Sequence, residues 1–319
     1  MMHDFSGHLA DAYFVGVDGG GSKTLAVIVD AQGRERGRAL AGSGNHAVVG
    51  LEQAASQLRV AVERAAQAAG CSPLLRAAWF GVAGIDSLHD HDQLFPHLSP
   101  LAETVLLTND AELVLGALDN RVGVALIAGT GTIGLGRNAE GDFARASGWG
   151  HLLSEEGSGY ELGRQALVAA VRAADGRGPQ TLLLDSILEH WHLRDPAGIL
   201  AQVYPAADKA KIARLSALVF AAAQADDIVA SRIVQRAVNE LALVVTTVSD
   251  KLHFFAQPLP LALGGSLLVH EADYRERVLH HLRARLPLGQ LAVVDQPALI
   301  AARAAIQLVP VEKGSRKET

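Results

Sequence analysis

The chain has 319 residues, 49% of them hydrophobic but only 5% aromatic, and 28 basic against 34 acidic residues give a net charge of −6. The length predicts two domains, the alanine- and leucine-rich composition predicts many helices, and the acidic balance without a long Lys/Arg cluster disfavours nucleic acid or an anionic membrane as partner. A single cysteine, Cys71, excludes an intrachain disulfide framework, a cysteine-rich zinc site and an all-cysteine iron–sulfur cluster within one chain; no apolar run approaches the ~20 residues of a membrane span, and residues 1–12 lack a signal peptide's pattern, so a cytoplasmic protein is expected.

In chain order, residues 13–17 and 25–29 read as apolar strands, separated by Asp18-Gly19-Gly20-Gly21-Ser22-Lys23-Thr24. Asp30-Ala31-Gln32-Gly33 is a turn, and residues 34–41 continue as a more polar edge strand. Leu51, Ala54, Ala55, Leu58, Val62, Ala65 and Ala69 recur at helical spacing, and Gly70 and Pro73 stop that helix. Residues 77–82 and 105–107 read as buried strands. The second ends at Thr108-Asn109-Asp110, and a helix follows from near Ala111. A similar series begins at residue 122: strands 122–128, 132–137 and 142–146, then helices 160–174, 181–190, 209–223 and 228–255. Strand 259–263, helix 271–286, strand 291–294, a closing helix 297–307 and a frayed polar tail 312–319 complete it. The order predicts a duplicated α/β unit. Residues 1–118 form one lobe and 119–319 the other, with a helical insertion near 175–255 and a last helix that returns to the first lobe.

Two strand-turn-strand stretches suggest a phosphate clamp between those lobes. Asp18 to Thr24 nearly matches a Walker A loop, but Ser22 separates Gly21 from Lys23 and a strand follows where a helix is required. Three consecutive glycines exceed what a hairpin turn needs and permit close approach of a ligand. Gly129-Thr130-Gly131-Thr132-Ile133-Gly134 formally matches a dinucleotide pattern, yet it too lacks the following helix. It reads as a second phosphate hairpin, with Thr130 and Thr132 as hydroxyl donors. Asp18, at a strand end, can hold a water of hydrated Mg²⁺. Asp110 fits a helix N-cap and also a reactive group at the carboxyl end of a strand.

Gly148-Trp149-Gly150-His151, followed by Glu155-Glu156-Gly157-Ser158-Gly159, offers a flat aromatic face beside carboxylates, a pairing suited to a sugar. A core tryptophan with solvated glutamates is the plain alternative. His151 reads as structural. Gly264-Gly265-Ser266 is either a strand-to-helix turn or a flat backbone surface for a nucleotide base.

In this order, these pieces resemble the actin-like ATPase and sugar-kinase superfamily, and more narrowly N-acetylglucosamine kinase and its bacterial relatives in the BadF-type ATPase group. The matched stretches run from Gly16 to Ser266 and include Ser43-Gly44-Asn45-His46. The resemblance implies a two-lobed, ribonuclease H-like fold of duplicated βββαβαβα units with nucleotide in the interlobe cleft. It implies Asp110 as catalytic base, and Asp18 with Asp110 at Mg²⁺. It implies ATP on Gly20, Gly21, Ser22, Lys23, Thr24, Gly129, Thr130, Gly131 and Thr132, with adenosine on Gly264, Gly265 and Ser266. It implies sugar on Asn45, His46, Trp149, Gly150 and Glu155, where relatives often carry Asp in place of Glu155. The expected activity is phosphorylation of the 6-hydroxyl of N-acetylglucosamine, or of glucosamine or another hexosamine, by a homodimer. An activator ATPase of a 2-hydroxyacyl-CoA dehydratase would need more cysteines than one per chain, and a sugar-responsive repressor would need a helix-turn-helix before the first strand.

Overall fold

The computed structural model describes residues 12–72, 74–85, 87–204, 208–255 and 257–309. The elements in order are β1 (Tyr13–Gly19), β2 (Thr24–Asp30), β3 (Glu35–Ala41), α1 (His46–Val49), α2 (Leu51–Ala69), β4 (Leu75–Val82), α3 (Leu88–Leu98) and β5 (Ala102–Thr108). A 3-10 helix, Asp110–Ala117, precedes β6 (Gly123–Ala128), β7 (Thr132–Arg137) and β8 (Phe143–Ser147). Then come α4 (Gly159–Ala174), α5 (Leu182–His190), α6 (Gly198–Val203), α7 (Lys209–Ala213), α8 (Ser216–Gln224) and α9 (Ile228–Lys251). The chain continues with β9 (Leu259–Gly264), α10 (Ser266–His270), α11 (Ala272–Arg283), β10 (Leu288–Val294) and α12 (Pro297–Ala305). It folds as two compact units. One takes the residues up to Ala117 together with those from Gln296 onward; the other is Leu118–Asp295.

In the first unit the sheet order is β3-β2-β1-β4-β5. β1 to β3 form an antiparallel meander, while β1, β4 and β5 run parallel. Parallel strands need crossovers, and α2 and α3 supply them. α2 buries Ala54, Ala55, Leu58, Ala61, Val62, Ala65 and Ala66 and ends at Gly70 in the left-handed conformation. The opposite face of the sheet takes α12, whose Ala301, Ala302 and Ala305 share a cluster with Phe14, Val29 and Trp79. The approach is close enough that a Cβ on Gly16 would collide with the Ala298 carbonyl and the Ala302 nitrogen.

The second unit repeats that topology. Its order β10-β9-β6-β7-β8 is the same sequence of strands, with an antiparallel meander β6-β7-β8 and parallel β6, β9 and β10. Helix α9 buries Val238, Leu241, Ala242, Val245 and Val248 in the core of this unit. Among the described residues no helix is long and apolar enough to cross a membrane.

Several elements differ from the sequence reading. Residues 110–117 are a 3-10 helix, not an α-helix: Asn109 and Asp110 both offer Oδ1 to the Ala111 N–H, and Leu113 packs directly on Gly81. The helix expected over 209–223 is two, because Ser216 Oγ donates to the Ala213 carbonyl at 2.7 Å and the chain tightens there. α9 stops at Lys251, ahead of His253 with φ of 59°. β10 begins at Leu288, earlier than expected, and α1, α6 and α10 are short helices without a clear sequence signature. Pro73 as a helix stop and the readings of residues 1–11 and 312–319 lie outside the described residues.

Candidate functional site

Each sheet carries its glycine loop at the carboxyl end of its parallel strands, where open α/β sheets build sites. In the first unit Asp18 pairs in register with Gly81, and Gly81 with Thr108. Asp110, two residues beyond β5, therefore stands at the same edge as Asp18. The Gly20 N–H closes the loop on the Lys23 carbonyl at 2.9 Å. The carbonyls of Gly19 and Gly20 are tied back by the N–H groups of Ala83 (2.9 Å) and Gly44 (3.1 Å). The N–H groups of Gly21, Ser22 and Lys23 donate to no described residue, and nothing lies within 4 Å of a Cβ built on Gly21. Carbonyls withdrawn and amides left outward is the polarity an anion requires.

The second loop is built alike. The Gly129 N–H donates to the Gly131 carbonyl at 2.9 Å. The carbonyls of Gly129 and Thr130 accept from Gly159 (2.8 Å) and Tyr160 (3.3 Å), at the start of α4. The N–H groups of Thr130 and Gly131 donate to no described residue. Gly265, with φ of 83°, lies against this loop: a Cβ there would come within 2.5 Å of the Ala128 backbone, so only glycine fits. Ser266 N is 3.4 Å from a Cβ built on Gly129, so the adenosine-loop candidate and the second phosphate-loop candidate are one surface.

Asp18 is the group most altered by its surroundings. Burial pushes its carboxyl above the ordinary value of 3.8, and the nearby Lys23 ammonium only partly opposes this. Its oxygens take no hydrogen bond from any described residue. A desolvated carboxylate without a partner suits a cation. No cluster of three or more acidic, histidine or cysteine groups for a metal exists among the described residues. One carboxylate completed by phosphate and water oxygens is how Mg²⁺ is commonly held, so the residues fit that ion.

Other expected residues are placed differently. Thr24 is fully buried and its hydroxyl donates to the Gly42 carbonyl at 2.9 Å, so it ties strand to loop and is not presented to a nucleotide. Thr132 is 3% exposed with Oγ1 unpartnered and out of reach, which leaves Thr130 as the exposed hydroxyl of the second loop. Asn45 caps α1, its Oδ1 accepting from Ala47 at 2.9 Å. The stretch before it packs tightly, with Gly44 against Gly19 and Thr24. His46 Nε2 lies 3.2 Å from Asp90 Oδ1, a strut between α1 and α3.

Trp149 is 67% exposed, which removes the core-tryptophan alternative. The strand end before it turns through Ser147 and Gly148 with φ of 63° and 77°, and Gly150 follows with φ of 88°. The Arg145 guanidinium stacks 5.2 Å from the ring centroid and donates to the Gly148 carbonyl, fixing the loop. No pattern in the sequence marks Arg145 for this role. Glu155 is 7% exposed and does not stand as an open sugar acceptor: Oε2 accepts from the Thr132 N–H at 2.5 Å and Oε1 from the Lys209 ammonium. Lys209 was also missed, because nothing in residues 209–223 beyond helical spacing marks it.

The chain is similar to known proteins in sequence and in fold. The model of the BadF/BadG/BcrA/BcrD ATPase family matches residues 15–278. An N-acetylmuramic acid/N-acetylglucosamine kinase of Clostridium acetobutylicum is 32% identical over 80% of this chain and 85% of its own. An N-acetyl-D-glucosamine kinase of Dictyostelium discoideum is 31% identical over 75% and 80%. A Chromobacterium violaceum structure, provisionally described as an N-acetylglucosamine kinase, superposes with a TM-score of 0.73 at 26% identity over 94% and 99% of the two chains. The ROK hexokinase of Thermus thermophilus, at 18% identity and a TM-score of 0.56 over 93% and 98%, shares the fold.

Proposed function

The chain belongs to the BadF/BadG/BcrA/BcrD ATPase family, and on that premise we propose that it is an ATP-dependent kinase that phosphorylates the 6-hydroxyl of N-acetylglucosamine. The observation that carries this is the presence of two glycine loops, each with carbonyls tied back and successive amides outward, together with a carboxylate just past β5. The names of the Clostridium and Dictyostelium relatives support the amino-sugar class.

Asp110 takes the proton of the sugar hydroxyl as the oxygen attacks the γ-phosphorus. The new O–P bond forms on one side while the bond to the β–γ bridging oxygen breaks on the other, and ADP leaves. The outward amides of residues 21–23 in the first unit are donors suited to phosphoryl oxygens, and those of residues 130–131 in the second unit are donors of the same kind. Asp18 is the residue to hold Mg²⁺, which when bound neutralises phosphate charge. Trp149 offers its free face to the apolar side of the sugar. The reading includes a cytoplasmic homodimer, its oligomeric state checked by sedimentation of the purified protein.

A coupled ADP-release assay tests the proposal across N-acetylglucosamine, glucosamine, N-acetylmannosamine, N-acetylmuramic acid and glucose. The expected result is sugar-dependent release, fastest with N-acetylglucosamine and abolished by EDTA. Release that ignores the sugar would overturn the kinase reading, and a preference for glucose would overturn the amino-sugar assignment.

A further inference from the structure

Lys209 lies at the start of α7, inside the helical segment to which the sequence assigns no role. Its ammonium donates to Glu155 Oε1, and Glu155 Oε2 accepts from the Thr132 N–H, so one desolvated carboxylate joins the helical segment to the second glycine loop. The pair sits directly over Gly131, where a Cβ would lie 2.6 Å from Oε2 and 3.1 Å from Lys209 Nζ.

The element that delivers the cation is well fixed. Asp208 caps α7, accepting from Ala210 at 2.9 Å and Lys211 at 3.2 Å. The Ile212 carbonyl packs onto Gly163 of α4, where any side chain would collide. The same α4 supplies the Gly159 and Tyr160 N–H groups that hold the loop carbonyls. Loop, carboxylate, lysine and the start of α4 are thus one hydrogen-bonded block.

We infer that Lys209 is a positioning residue for the second phosphate loop, a deepening that rests on the kinase reading. Through Glu155 it holds the Thr132 N–H, and with it the outward direction of the Thr130 and Gly131 amides.

Sugar-dependent ADP release by the unaltered protein is measured first. Its absence sinks the kinase reading itself, whereas the Lys209 variants test only the positioning of the loop. Lys209→Met is expected to raise the KM of ATP and the Kd of a nonhydrolysable ATP analogue, measured by calorimetry, by ~5-fold or more, with the sugar KM within twofold of the original. Lys209→Arg restores most of both, whereas Trp149→Ala raises the sugar KM alone. If Lys209→Met melts below the assay temperature, the same quantities are read on Lys209→Met/Glu155→Gln, which leaves no unpaired buried charge. An ATP KM within twofold of the original overturns the inference.

Discussion

Asp110 and Asp18 stand at one sheet edge with different surroundings, and their variants should behave differently. Asp110→Asn is expected to fold, to bind both ligands and to lose ~10²–10⁴ in kcat, the usual cost of a missing general base. Near-normal turnover would move the base elsewhere. Asp18→Asn should lose activity and gain stability. With the native carboxyl raised above 3.8, the folded chain binds more protons than the unfolded one between those two values, so stability falls as pH rises through the window. The cost is fully present above the native value, and the amide removes it. Melting profiles from acid to neutral pH without nucleotide check this: the two proteins should coincide at low pH, and the variant should melt higher at neutral pH.

The glycine hairpins were legible as phosphate-loop candidates because a loop suited to phosphate needs residue types few other turns need. What each hydroxyl does within them was not, since a threonine in such a motif reads the same whether it faces a ligand or, like Thr24, a neighbouring carbonyl. Gly265 gives the sharpest test of loop geometry. Gly265→Ala must take a left-handed φ and meet the Ala128 backbone, so nucleotide affinity is expected to drop by at least ~10-fold, read by calorimetry with the ATP analogue. The β2–β3 turn gives a test that leaves the site alone. Burial alone would raise Asp30, but hydrogen bonds from the Arg34 backbone and side chain, Arg36 and Gln32 bring it down to about 2. Its contribution is therefore complete above 3.8 and is lost as pH falls through about 2. Asp30→Asn should melt below the parent at neutral pH, by a margin that shrinks across that acid window, with KM values unchanged.

At the scale of the molecule, the same five-strand topology occurs twice, and the first unit is completed by the last helix of the chain. That closure spans most of the sequence, so the α12 face has stability consequences for β1. Ala302 is fully buried beside Gly16. Ala302→Asp places an unpaired charge there and is expected to cost roughly 3 kcal/mol or more of the first unit's stability. A two-step melt, in which the first unit unfolds early and the second at its usual temperature, is the expected trace. A single unshifted transition would show that α12 does not hold the first unit together.

By itself the sequence determined the repeated strand order, the two phosphate-loop candidates and the carboxylate after β5. These are local patterns: strand period, glycine demand and turn chemistry act over a few residues. Tertiary structure alone decided the partners. That Glu155 answers to Lys209 and Thr132, that Arg145 backs Trp149, that His46 braces Asp90 and that Thr24 turns to Gly42 are contacts across 54, 23, 44 and 18 residues, or across a loop. A buried or partly desolvated group takes whichever partner the packing brings within reach, and no spacing along the chain encodes that choice.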